Sequence, residues 1–177
     1  MIAPFAQHRD RLASAPGFDR RTAEGIIGEI GIDMTKFPTA AHLASWAGMC
    51  PGQHESAGKA RHGTARQGNT WLQRHLATAA MSASRTKGTY LAPQYRRVAG
   101  RRGKLRARKA VGHSLLVGVW HIRAEGVEWD DLGADYYDRR QNLEHRARRK
   151  LAELRALGWA LTAGDDGTMV LRPPAAA

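Results

Sequence analysis

A single cysteine, Cys50, is all that the sequence offers for covalent cross-linking, so no disulfide framework holds it, and a reducing cytoplasm is the expected setting. No apolar run approaches the roughly 18 residues that a membrane-spanning helix needs, and no membrane partner is expected. The first ten residues lack the charged start and apolar stretch of a secretory signal. Acids are in short supply: 16 Asp and Glu stand against 28 Lys and Arg, for a net charge of +12 and a pI near 10.8. Arginine supplies most of that excess, and its planar fork suits phosphate oxygens better than a lysine does. A polyanionic partner follows, with nucleic acid ahead of a membrane surface. Nineteen glycines are present, yet none falls at the spacing of a phosphate-binding Walker loop or a dinucleotide fingerprint.

What is there is mainly helical patterning in 177 residues, a length for which one domain is the default. Residues 1–13 read as the remnant of a preceding helix. Pro16-Gly17 then breaks the chain, and Asp19 caps a helix carrying Ala23, Ile26, Ile27 and Ile30 on one face until Gly31 stops it. Helix, Pro-Gly turn, helix is the pattern of a helix-hairpin-helix module, in which Gly17 would present backbone N–H groups to a DNA phosphate. An ordinary helical turn fits the same residues, because Asp19 stands where such hairpins usually have a second glycine.

Thr39 opens the next helix, with Leu43 and Trp46 facing inward and Gly48 ending it. After a Gly-rich stretch, Asn69 caps a helix with Leu72, Leu76, Ala79, Ala80 and Ala83 at helical spacing. Tyr90–Gly100 is expected to be helical, with Pro93 tolerated in the first turn. Arg96, Arg97, Arg101, Arg102, Lys104, Arg106, Arg108 and Lys109 form the densest positive run and are expected to track a nucleic-acid backbone. The run leads into a helix with Ala107, Val111, Leu115, Gly118 and Ile122 in one row. Leu116, Val119 and Trp120 make that helix apolar nearly all round, hence buried. His113 and His121 on it read as core or edge residues, not ligands. The acids Asp130, Asp131, Asp135 and Asp138 invite a metal, but helix capping and pairing with arginines explain them better. A last helix aligns Leu143, Ala147, Leu151 and Leu154 and ends at Gly158. Residues 159–177 read as a short β-hairpin and a frayed tail.

The Gly-rich stretch from Gly48 to Asn69 is where chemistry is expected. Pro51 and the glycines at 48, 52, 58, 63 and 68 rule out long regular elements, and so long an excursion in a small domain is usually functional. It carries one candidate hydroxyl nucleophile, Ser56, among Lys59, Arg61, His62 and Arg66. The arginines and the helix N-terminus after Asn69, with Arg74 one turn on, would neutralise a phosphate that Ser56 attacks. A zinc site from Cys50, His54, His62 and His75 has only one tight pair. A triad of Ser56 with His54 or His62 and Glu55 has no supporting strand-turn-helix elbow. A lone loop serine is most often only that.

The order of motifs is more telling. Pro16-Gly17 with Thr22-Ala23, Glu29-Ile30-Gly31 and Phe37-Pro38-Thr39 are followed by Leu43 to Gly48, Pro51-Gly52, Ser56-Ala57-Gly58-Lys59 and Gly68-Asn69. Then come Tyr95-Arg96-Arg97, Arg101 to Lys104, Asp131-Leu132-Gly133 and Tyr136-Tyr137. This series, over roughly residues 14–158, resembles the C-terminal domain of bacterial insertion-sequence transposases of the IS110, IS116 and IS902 group, the bridge-RNA-guided recombinases. The resemblance implies transposition, with Ser56 as the nucleophile that joins to DNA. It further implies a guide RNA, an oligomer or association with full-length transposase, and Mg²⁺ held by the four acids of an N-terminal RuvC-like domain. That domain has no room before Ser14, so the expectation is an incomplete half-site: a fragment, a chain that complements in trans, or a decayed element. A non-catalytic helix-hairpin-helix DNA- or RNA-binding protein, such as a modulator of intact transposases, is the alternative from another class.

Overall fold

The computed structural model describes residues 5–50, 54–56, 59–61, 67–140, 143–163 and 169–174. They divide into two compact units, residues 1–136 and 137–177. In chain order the first holds α1 (Ala6–Leu12), α2 (Arg20–Ile30), a 3-10 turn (Met34–Lys36), α3 (Ala40–Trp46), strands β1 (His54–Ser56) and β2 (Lys59–Arg61), α4 (Thr70–Ala83), α5 (Leu91–Arg102) and α6 (Lys104–Ala124). A single turn, α7 (Tyr136–Arg139), falls at the division, and α8 (Leu143–Ala156), β3 (Ala160–Ala163) and β4 (Met169–Arg172) follow. The expected fold class, mainly α with a small terminal hairpin, is what the chain adopts.

Capping sets the helix starts. The Asp19 carboxylate accepts from Thr22 N at 2.7 Å, and hydrogen bonding from the Thr22 side chain, then from its backbone, holds the Asp19 pKa below the ordinary carboxylate value; the Thr39 hydroxyl caps α3. Asn69 Oδ1 accepts from Leu72 N at 2.9 Å and opens α4. The expected faces are then buried: Ala23, Ile26, Ile27 and Ile30 on α2, and Leu72, Leu76, Ala79, Ala80 and Ala83 on α4. Trp46 is a correction. It stays 42 % exposed, its ring tilted against Phe37 at 5.2 Å, while Ala44 and Ala47 fill the inner face of α3 beside Leu43. Small side chains let α3 approach its neighbours, and an indole there would hold it off.

The core forms around α6, which packs against α1, α3, α4 and α5. Ala107, Val111, Leu115, Leu116 and Val119 are fully buried, and each of the larger ones contributes about 1.5–3 kcal/mol by leaving water. The helix is not apolar all round, however: Lys104, Leu105 and Arg106 in its first turn are exposed. Gly103, at φ +84°, is the sole residue between α5 and α6. It folds them into an antiparallel pair, in which Gln94 Nε2 donates to Ser114 Oγ at 2.8 Å. Asp131 draws the following segment back over this pair. Its Oδ1 accepts from Tyr90 N and Gly133 N, both at 2.9 Å, and its Oδ2 accepts from Trp129 Nε1. The acid thus acts as a cap at the start of α5. Gly118 leaves room for Trp129, whose ring a Cβ there would meet at 2.2 Å.

In the second unit β3 and β4 pair antiparallel, Ala160 opposite Arg172 and Leu161 opposite Leu171. Within this unit the α8 stripe is largely uncovered: Leu143 is 73 % exposed, and Leu151 and Leu154 are half-buried.

Gly17 combines φ +86° with a position where a Cβ would lie 2.3 Å from Ala79 O. Gly17→Ala is expected to cost about 2–4 kcal/mol in urea unfolding. Gly28, in α2 with nothing within 4 Å of its Cβ direction, supplies the contrast: Gly28→Ala is expected to gain about 0.5–1 kcal/mol.

Candidate nucleic-acid interface

The Gly-rich excursion leaves and rejoins the fold at one point. At its start, Met49 N donates to Ala44 O at 2.9 Å and Gly48 turns at φ +65°. At its end, Gly68 lies so close to the end of α3 that a Cβ would come within 2.3 Å of the Ala47 carbonyl carbon and 2.4 Å of Gly48 N. Two side chains lock this stem. Gln73 Nε2 donates to Ala47 O at 2.7 Å, and Asn69 Nδ2 donates to Glu29 Oε2 at 2.7 Å. Asn69 therefore works twice, capping α4 with its oxygen and tying α4 to α2 with its nitrogen.

Between the ends of the stem, β1 and β2 form an antiparallel hairpin, with Ser56 opposite Lys59, Glu55 opposite Ala60 and His54 opposite Arg61. Two of the expected phosphate ligands, Lys59 and Arg61, are brought into register with the serine strand. Arg66, expected to join them, lies outside the described residues, as does His62.

Beside the stem, the N-terminal halves of α4 and α6 face each other across a cleft of about 260 Å³. Gly112 permits the approach: a Cβ there would stand 3.1 Å from Met49 Cε and 3.6 Å from Leu76 O. Arg74 lines the cleft from α4, and Arg108 and Lys109 line it from α6. Met49, Ala77 and Leu105 give it an apolar part, and Thr70 and Gln73 add hydrogen-bonding groups. No acid lines it. A larger groove of about 440 Å³ runs along the other end of α6, but Glu125, Glu128 and Asp130 line it. A polyanion is repelled there and attracted to the smaller cleft.

The remaining expected ligands spread over separate places. Arg101, Arg102, Lys104 and Arg106 are exposed on either side of the Gly103 corner. Arg96 lines a small hollow with Arg85 and Lys87 in the turn before α5. Arg97 is on the exposed surface of α5. Gly17 packs on the C-terminal half of α4, about two turns beyond Arg74. The positive run is thus a folded-over hairpin, not one continuous track.

Sequence reasoning missed Trp71, which is 61 % exposed and has the Arg74 guanidinium 4.9 Å from its ring centroid. A signal was present: Trp71 sits one position before Leu72, off the apolar stripe. A second missed group lies at the far end of α6. There Arg123 Nη2 donates to Ile32 O at 3.0 Å, while its Nε and Nη1 are buried without partners. Burial, then the nearby Arg11, lowers the pKa of Arg123, and burial together with both arginines lowers that of His8. His113 is also held below its ordinary pKa by burial, in keeping with its reading as a core residue.

Two comparisons bear on these elements. The model of the Transposase IS116/IS110/IS902 family matches residues 9–96. An 84-residue stretch is 44 % identical to the "Insertion element IS110 uncharacterized 43.6 kDa protein" of Streptomyces coelicolor (strain ATCC BAA-471 / A3(2) / M145). That match covers 45 % of this chain and 20 % of the relative, so the chain spans about a fifth of that protein's length. The matched stretch, from α1 into α5, is a transposase domain. Over that stretch, just under half of its length, the chain is similar to the IS116/IS110/IS902 family. The cleft straddles its limit, with Met49 and Arg74 inside and Arg108 and Lys109 beyond.

Asn69→Ala is expected to lower stability by about 1–2 kcal/mol through loss of the cap and the tie to Glu29. Asn69→Asp keeps the cap but sets two carboxylates against each other, and Glu29→Gln should restore most of that loss in a double-mutant cycle.

Proposed function

We propose that this chain is the nucleic-acid-gripping, serine-bearing part of a transposition machine. The observation that carries this reading is a shared origin. The Ser56 hairpin rises from a stem whose residues Met49 and Gln73 also line the cleft of Arg74, Arg108 and Lys109. A strand of DNA held by its phosphates in that cleft runs past the base of the hairpin. Lys59 pairs with Ser56 across the hairpin and Arg61 follows on the same strand, and in this reading the two offset charge on the phosphate under attack.

The step assigned to this chain is transesterification. The Ser56 oxygen forms a bond to phosphorus, the bond from phosphorus to one deoxyribose oxygen breaks, and the hydroxyl proton leaves to a base while the departing oxygen gains one. The Mg²⁺ implied by the family resemblance would be held by a RuvC-like acidic domain and would polarise the phosphate there. In this chain Asp131, central to the acidic segment, spends both carboxylate oxygens on Tyr90, Gly133 and Trp129, and no step here runs through a metal. A guide RNA and a multi-subunit assembly belong to the same proposal.

The second reading, a binder without chemistry, rests on the cleft alone, since its cations need no serine. One experiment separates the two. Incubated with target DNA, guide RNA and the acidic domain, the wild-type chain is expected to give a covalent protein–DNA adduct on a denaturing gel, and Ser56→Ala to give none while binding DNA as before. An adduct undiminished in Ser56→Ala removes the nucleophile. Binding should weaken linearly in log–log plots against salt, and Arg108→Ala is expected to reduce that slope by about 1.

A further inference from the structure

We infer that the rim of the cleft holds an unpaired DNA base, stacked on Trp71, while Arg74, Arg108 and Lys109 take the phosphates on either side. The inference rests on the proposed DNA-binding reading and specifies which form of DNA the site takes. Three observations carry it. Trp71 stands in the first turn of α4 with 61 % of its surface exposed, although the same helix buries every residue of its apolar stripe. The Arg74 guanidinium lies over one part of the ring at 4.9 Å and leaves most of the indole open. Across the cleft, Leu105 is 73 % exposed among cations, and Met49 and Ala77 complete an apolar floor.

A B-form duplex does not explain these groups. It turns phosphates and sugars outward and keeps the faces of its bases stacked inside, so gripping its backbone calls for cations and hydrogen-bond donors only. An indole and an apolar floor gain a partner when a base leaves the stack and offers a π-face. The arginine that contacts the indole is the one that lines the cleft, so a base on Trp71 and its phosphate on Arg74 are neighbours on one strand. Strand exchange requires such unpaired nucleotides, and the placement beside the hairpin stem delivers them to the serine.

The test compares a labelled oligothymidylate of about ten nucleotides, a size suited to a single site, with a duplex of the same length, using the full chain and anisotropy. Trp71→Ala is expected to weaken oligothymidylate binding about tenfold or more and to leave duplex binding within about twofold. Trp71→Phe is expected to retain most of the affinity while losing part of the tryptophan fluorescence quenching that the wild type shows on binding. Equal weakening of both ligands by Trp71→Ala overturns the inference, since the indole would then serve only to orient Arg74. Unchanged binding in Trp71→Ala alongside weakened binding in Arg108→Ala also overturns it and leaves the DNA-binding reading standing. If neither variant changes binding, both fall. Tighter binding of an oligouridylate than of the oligothymidylate overturns the assignment to DNA.

Discussion

Gly68 rests its backbone against the carbonyl of Ala47 and the amide of Gly48, with no space between them for a methyl group. Much of what this chain offers chemically hangs on that contact. It brings the two ends of a long Gly-rich excursion to one place, so that a hairpin with little regular structure of its own is planted on packed helices. The hydrogen bonds of Gln73 to Ala47 and of Asn69 to Glu29 brace the contact from α4. A loop closed at its base has a fixed point of attachment.

The same economy of small residues recurs where helices meet. Gly17 on α4, Gly112 between Met49 and α4, and Gly118 under Trp129 each allow an approach that a side chain would block. The result is a tightly drawn core around α6 whose first turn emerges from it carrying Lys104, Leu105 and Arg106. The cleft exists because α4 and α6 draw together at Gly112 while their N-terminal ends carry long cationic side chains that cannot pack.

The helices and their buried faces were readable in the sequence because capping and periodicity are local. Asp19, Thr39 and Asn69 announce starts, glycines announce ends, and the stripes of α2 and α4 contain the residues the core buries. Trp46 was misplaced because helical spacing says which side a residue faces, not how near the neighbour stands; alanines won that surface. The Arg96–Lys109 run read as one track because charge density in sequence carries no information about the corner at Gly103. The cleft was not legible at all, since it joins Arg74 to Arg108 across more than thirty residues and depends on the approach at Gly112. Trp71 was passed over for a related reason: an aromatic off the stripe gains meaning only beside a groove.

At the Gly103 corner, Arg101 and Arg102 end one helix and Lys104 and Arg106 begin the next, with no acid from Arg96 to Lys109. The two before the corner sit well with the negative end of the α5 dipole, whereas those after it sit against the positive end of α6. In the free chain this elbow is held closed by buried contacts against its own electrostatic pressure. A polyanion laid across it would relieve that pressure, so that binding one and tightening the helix pair would be one thermodynamic event.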